Sequence, residues 1–135
     1  MRLLVLATDP VDAAAVRDAL PTEDLEGAEV LVVSPAVTSS ATAFWMSDSD
    51  EARSDAESVA ERTAAALRES EVDRVHATTG ESEPLLALQD ALATYPADRV
   101  LIFARGDEER ARYREGDVFG EAERRFGVPV TEVAV

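Results

Sequence analysis

The stretch VLIFARGDEERARYREGD, residues 100–117, combines an apolar run with two glycines and an aspartate. Val100–Ala104 reads as a buried strand, Gly106 and Gly116 are separated by nine residues, and Asp117 precedes the last helical pattern of the chain. Between a strand and a helix, backbone N–H groups and a helix N-terminus converge, so that such a loop can hold phosphate. The stretch therefore predicts an α/β protein with a candidate phosphate loop.

The rest of the chain continues this alternation of strands and helices. Further strands are predicted at Leu3–Ala7, Val30–Val33, Val72–Thr78 and Val128–Val135. Helical periodicity separates them, over Asp9–Leu20, Ser47–Ser70, Pro84–Tyr95 and Asp117–Phe126. Such alternation favours a parallel sheet covered by helices on both faces. We predict one α/β domain over residues 1–135, built on a single open five-stranded parallel sheet.

Local signals place the turns between these elements. Asp9-Pro10 predicts the start of the first helix, with a carboxylate cap and proline in the first helical position. The residues Gly80–Pro84 predict a turn into the third helix. Ala36–Met46, which contains the only tryptophan, Trp45, is interpreted as a surface loop. Trp45 and Phe44 either pack this loop against the rest of the domain or cover a ligand or a partner surface.

The composition excludes several kinds of site. The chain has no cysteine and one histidine, His76. Disulfides, zinc–thiolate sites, thiol nucleophiles and histidine metal clusters are therefore excluded. No nucleophile, base and orienting group occur at a convincing spacing, and His76 lies within a strand pattern typical of a packed or edge histidine. We expect neither a catalytic site nor a metal site.

The charge limits the choice of partners. The net charge is −15, and all 13 basic residues are arginine. Such a surface repels nucleic acid and anionic membranes. It fits either adaptation to a salt-rich cytoplasm, where salt screens the repulsion, or an acidic face for a basic partner. No segment is long and apolar enough for a signal peptide or a membrane span, and we expect a cytoplasmic protein.

Candidate ligand-binding residues follow from the predicted sheet. In open parallel sheets, ligands bind beyond the carboxyl ends of the strands, where the strand order reverses. Asp9 could there accept a hydrogen bond from a ribose or a base, or serve only as a helix cap. Thr78 and Thr79 could line the same crevice, or serve only as turn formers. Ser34 and the loop between the two glycines complete this set.

With these features the chain resembles the universal stress proteins, a family that shares a five-stranded α/β sheet and often binds ATP. The resemblance covers essentially the full length. It includes the first strand with its terminal aspartate, the glycine-acid turn, the alanine-aspartate entry to the fourth strand and the proline-valine opening of the last strand. The corresponding residues are Leu3–Asp9, Gly80–Pro84, Ala97–Ile102 and Val128–Val130.

The nucleotide motif of this family is glycine, two residues, glycine, nine residues, glycine, then serine or threonine. Gly106 and Gly116 match the second and third glycines, but Phe103 stands at the first glycine and Asp117 at the hydroxyl residue. A carboxylate that caps the helix competes with phosphate for the same N–H groups, and a phenylalanine fills space that a nucleotide needs. The positions that the resemblance assigns to nucleotide are Thr8, Asp9, Val33, Ser34, Gly106, Gly116, Asp117 and Val118.

The resemblance implies a stress-response domain that acts by conformation and dimer contacts rather than turnover. The departures from the motif favour weak or lost ATP binding, and no cofactor is required. The alternative is an ATP- or ADP-binding switch with slow hydrolysis, in which Asp9 and the two glycines hold the nucleotide while nearby arginines meet phosphate. The resemblance also implies a homodimer through the last strand, which ends in an apolar edge that needs a partner. Its apolar residues are Val128, Val130, Val133 and Val135.

Overall fold

Five strands and four helices alternate in the parts of the chain that the computed structural model describes, residues 2–20, 28–35, 49–69, 72, 74–80, 84–104 and 118–134. The strands are β1 (Arg2–Ala7), β2 (Glu29–Pro35), β3 (Arg74–Gly80), β4 (Arg99–Ala104) and β5 (Val130–Ala134). The helices are α1 (Ala13–Ala19), α2 (Ser49–Arg68), α3 (Pro84–Thr94) and α4 (Val118–Phe126). No helix within these residues is long and apolar enough to cross a bilayer.

The strands form one open parallel sheet in the order β3-β2-β1-β4-β5. This confirms the predicted fold class. β1 lies at the centre because its run Leu3–Ala7 is apolar on both faces, and each of these residues is at most 1% exposed. The register brings Ala7 beside Phe103 and Phe103 beside Val133, so that three strands meet near their carboxyl ends.

Successive side chains of the central strand enter two different cores, as strand geometry requires. Leu3 and Val5 belong to a core on the face covered by α1 and α2, whereas Leu4 and Leu6 belong to a core on the face covered by α3 and α4. Burying one such leucine contributes roughly 1.5–3 kcal/mol relative to leaving it in water. The two cores account for helices on both faces.

The start of α1 differs from the prediction. The helix begins at Ala13 rather than after Asp9-Pro10, and its cap is Asp12, whose Oδ1 accepts a hydrogen bond of 2.8 Å from the N–H of Ala15. Val11 lies outside the helix and contacts α2 instead. Its N–H donates to Thr63 Oγ1 at 3.0 Å, and the residue is 5% exposed. Tertiary burial overrides the local Asp-Pro signal here.

The strand ends also differ from the sequence pattern. β2 and β3 both extend to later residues than predicted, so that Gly80 is the last residue of β3 rather than the first of a turn. β5 begins at Val130, two residues after its predicted start. In each case pairing with a neighbouring strand, and not the apolar run alone, determines where the strand ends.

Candidate functional site

The point of strand-order reversal lies between β1 and β4. The chain leaves β1 for β2 and β3 on one side and returns to β4 and β5 on the other. Thr8 and Asp9 follow β1 at this point, and both are partly buried. The structure therefore places these two predicted residues at the crevice where open parallel sheets bind ligands.

The turn after β1 is fixed from the side of α2. The hydroxyl of Thr63 is fully buried and accepts the hydrogen bond from the backbone of Val11. Without this acceptor a buried N–H would lose its partner, which costs about 1–3 kcal/mol. Thr63 thus orients the segment that carries Thr8 and Asp9, although it does not lie at the crevice itself.

Val33 and Ser34 lie at the carboxyl end of β2, but they point to opposite faces of the sheet. Val33 joins the core under α3 and α4, and Ser34 alternates with Val30 and Val32, which face α1 and α2. Each of the two side chains is 1% exposed. The Oγ of Ser34 has no hydrogen-bond partner among the described residues. Both side chains are internal in this conformation, and neither is presented to the crevice.

Phe103 lies next to the crevice and belongs to the core. It is 2% exposed, and it is the largest of the fully buried side chains of the described residues. It faces α1 and α2 together with Leu101 and contacts the layer that contains Ala7 and Val133. The volume beside the reversal point on this face is therefore filled by a protein side chain.

Four of the positions predicted to bind nucleotide belong to the loop and helix after β4. Gly106, Gly116 and Asp117 lie outside the described residues, as do Trp45 and its loop. Val118 is the first residue of α4. The first turn of this helix carries one acid, Glu121, whose carboxylate lies 3.0 Å from Arg124 and 3.3 Å from Arg125.

The polar residues of β3 have separate surroundings. Thr78 is exposed and Thr79 is partly buried at the carboxyl end of the strand. The Thr78 hydroxyl donates to the carbonyl of Thr79 at 3.3 Å. His76 has an exposed side chain on this edge strand, with its Nε2 3.6 Å from Glu29 Oε1. Of the two predicted alternatives, a packed or an edge histidine, the structure shows the edge histidine.

Glu29 is the centre of a polar cluster at the opposite end of the sheet from the crevice. Its Oε2 lies 3.6 Å from the Nε of Arg2, and its backbone carbonyl accepts a hydrogen bond of 2.9 Å from the hydroxyl of Tyr95. Burial, and secondly the negative charge of Glu29, raise the pKa of Tyr95 to about 12. The cluster ties the end of α3 to β2.

The raised pKa of Tyr95 predicts that the folded protein loses stability at alkaline pH. The folded-state pKa exceeds the ordinary value of 10.0, so the stability that protonated Tyr95 provides is complete below pH 10 and is lost as the pH rises towards 12. The chain has no lysine or cysteine, which leaves two tyrosines as the side chains that titrate in this range. Urea unfolding between pH 9 and about 12 should show the loss, and absorbance at 295 nm should resolve one late tyrosine.

Tyr95→Phe should remove the late titration and flatten this loss of stability, whereas Tyr113→Phe, the matched change at the other tyrosine, should retain both. A wild-type protein whose two phenols ionise together near pH 10 would contradict the prediction.

The last strand, β5, is an edge strand that pairs with β4 among the described strands. Of its predicted dimer residues, Val128 and Val130 pack against one core and Val133 against the other, while Val135 lies outside the described residues. The N–H of Val130 donates to Glu123 Oε1 at 2.9 Å. These side chains therefore pack against the cores of their own chain. The outer edge of β5 presents mainly backbone groups.

Sequence reasoning missed two residues that shape this end of the molecule. Asp12, and not Asp9, caps α1, and the backbone of Gly80 lies against α3, where a Cβ atom would come within 2.9 Å of the Cβ of Ala87. A polar residue on the inner face of α2, Thr63, was the available signal for a buried hydrogen bond. Comparisons of the chain with protein-family models and with curated proteins find no match.

Proposed function

We propose that this chain is a universal-stress-protein-like regulatory or interaction domain, in which adenine-nucleotide binding is weak or lost. It acts through its conformation and through contacts between copies rather than by turnover. The strand order, the position of Asp9 at the reversal point and the glycine spacing after β4 support this reading. The observation that carries the loss of nucleotide binding is Phe103, a core side chain at the position where the resemblance puts glycine.

The charges near the start of α4 support the same conclusion. Asp117 directly precedes the helix in the sequence, and Glu121 lies in its first turn. A carboxylate at a helix N-terminus is stabilising, by about 1 kcal/mol as a cap, and it occupies the N–H groups that would otherwise bind phosphate. A phosphate bound at the start of α4 would be repelled by the negative charge of Asp117, the residue before the helix.

Calorimetric titration with ATP and ADP tests the proposal. We expect binding weaker than micromolar for the wild type, and at least about tenfold tighter binding for Asp117→Ser, since the change removes the competing carboxylate and restores a hydroxyl. Asp107→Ser is the matched control, because it removes the same charge beside the other glycine and should have a smaller effect.

Micromolar affinity of the wild type, or adenine nucleotide found by mass spectrometry in the purified protein, would refute the proposed loss. It would favour the second candidate function, an ATP- or ADP-binding switch. The half-buried position of Asp9 at the reversal point is the observation in favour of that candidate.

The proposal includes a homodimer through β5. The carbonyl of Pro129 accepts from Val100 on β4, so the backbone groups of Val130 and Glu132 lie on the outer side of the strand. The amide of Val130 is bonded to Glu123 Oε1, so a second copy would pair at the backbone of Glu132. Glu132→Pro should shift the protein to monomers in sedimentation experiments, because proline cannot donate a ladder bond but is tolerated on an edge strand. Glu132→Ala is the control and should retain the dimer. Monomeric wild-type protein would contradict the strand contact.

A further inference from the structure

The outer face of α3 is almost free of charge. Asp90 is the one ionisable residue of this helix, in a chain of which 30% is charged. Four exposed and uncharged residues follow one another at helical spacing along the face and just past its end, and they are Leu86, Gln89, Ala93 and Pro96. Among the described residues, Leu86 is the large hydrophobic residue with an exposed side chain, at 44% exposure. We call these four residues the α3 strip.

The α3 strip borders an open groove of about 440 Å³ between the ends of α3 and α4. Leu92, Phe126 and Val128 are among its apolar lining residues, and Arg125 also lines it. Surfaces with few charged residues are typical of the centres of protein interfaces. The strip and the groove together form one such surface.

The charge of the molecule indicates what covers this surface. A basic partner would be drawn to carboxylates, which the strip lacks. The net charge of this chain is −15, so most of its surface repels an acidic partner. An uncharged face repels such a partner least. A second copy of this chain has that property.

The charges at the border of the surface are self-complementary. Asp90 on α3 makes no ion pair with any described residue. Arg125 on α4 shares the carboxylate of Glu121 with Arg124, so its guanidinium retains donors for another acceptor. In a two-fold contact every contact between two different residues occurs twice, once in each direction. Asp90 of each copy can therefore contact Arg125 of the other.

We propose that the α3 strip and the groove form a two-fold contact between copies of this chain, separate from the edge of β5. This contact requires neither a nucleotide site nor pairing of β5. With both contacts, the chain has two self-complementary surfaces, and dimers assemble into tetramers. With the α3 contact alone, the same surface gives a dimer.

Sedimentation equilibrium of Ala93→Glu tests the contact. The change puts like charges on facing surfaces, and we expect the dissociation constant of the affected step to rise at least about tenfold. Ala65→Glu is the matched control, because it adds the same charge at an exposed alanine of α2 and should leave that constant within about twofold. Gln89→Glu, on the same strip, is the second variant should Ala93→Glu fail to fold by circular dichroism.

A charge reversal identifies the orientation of the two copies. Asp90→Arg should weaken the association, and Asp90→Arg combined with Arg125→Asp should restore it. Equal effects of Ala93→Glu and Ala65→Glu, no effect of either, or a wild type that remains monomeric at its highest soluble concentration would each overturn the proposal. Glu132→Pro separates the two contacts, because it removes the β5 step and leaves the α3 step in place.

Discussion

Phe103→Ala is expected to lower the free energy of unfolding by about 3–5 kcal/mol, the largest effect that we predict for a single substitution in this chain. Phe103 is 2% exposed and lies in register between Ala7 and Val133. Its removal eliminates buried apolar area and leaves a cavity next to three strands that cannot collapse together. Since domains of this size are stable by about 5–15 kcal/mol, the variant should lose a large fraction of its stability.

Urea unfolding followed by circular dichroism measures this loss. Arg62→Ala is the control, because it removes a long side chain that is exposed on α2 and outside the α3 strip, and its effect should stay within about 0.5 kcal/mol. A loss below about 1 kcal/mol for Phe103→Ala would show that the ring does not contribute to the core as described.

This expected loss also affects how the proposed function can be tested. Phe103→Gly, which would supply the first glycine of the motif that the chain resembles, would remove the same core side chain, so that a failure to bind ATP could reflect unfolding alone. Asp117→Ser changes the other departure from the motif and exchanges one polar side chain for another, so it removes no apolar side chain. Asp117 is therefore the better position for testing nucleotide binding, and Phe103 the better one for testing the fold.

Gly80→Ala is expected to lower the free energy of unfolding by about 1–3 kcal/mol through overpacking. A Cβ at Gly80 would lie 2.9 Å from the Cβ of Ala87 and 3.1 Å from Cγ1 of Val33. Neither neighbour is the free end of a flexible side chain, so β3 and α3 would have to move apart. Thermal and urea unfolding measure the loss.

A double-mutant cycle separates this clash from other effects. Ala87→Gly alone should cost about 1 kcal/mol by helix propensity, but combined with Gly80→Ala it should recover part of the loss, because it removes the facing Cβ. Gly127→Ala is the comparison: Gly127 has a φ of +67° and no atom within 4 Å of an added Cβ, so its cost is one of backbone strain. Ala87→Gly should not rescue it. Purely additive effects at Gly80 and Ala87 would contradict the close approach.

Several parts of the fold could be predicted because their signals are local. The run Leu3–Ala7 is apolar at every position, which is typical of a central parallel strand, and β1 is such a strand. The inner face of α2 follows from helical periodicity, and its members Ala56, Ala60, Thr63 and Leu67 are buried. Where the apolar pattern is strong, the predicted class of element was correct.

The errors occurred where residues far apart in the chain compete with the local signal. Asp9-Pro10 has the features of a helix start, but Val11 gains more from burial and from its hydrogen bond to Thr63, 52 residues later, than from joining the helix. Gly80 has the features of a turn residue, but pairing with Pro35 retains it in β3. Neither partner can be identified from spacing along the sequence.

The sequence by itself determined the alternation of strands and helices, the excess of acid and the exclusion of thiol and histidine-cluster chemistry, because these depend on composition and on periods of a few residues. The tertiary structure alone decided the strand order, the burial of Phe103 and Ser34 and the close approach of Gly80 to Ala87. It also placed an uncharged strip of α3 beside a groove. These features depend on which distant residues share one space, and a one-dimensional pattern carries little of that information.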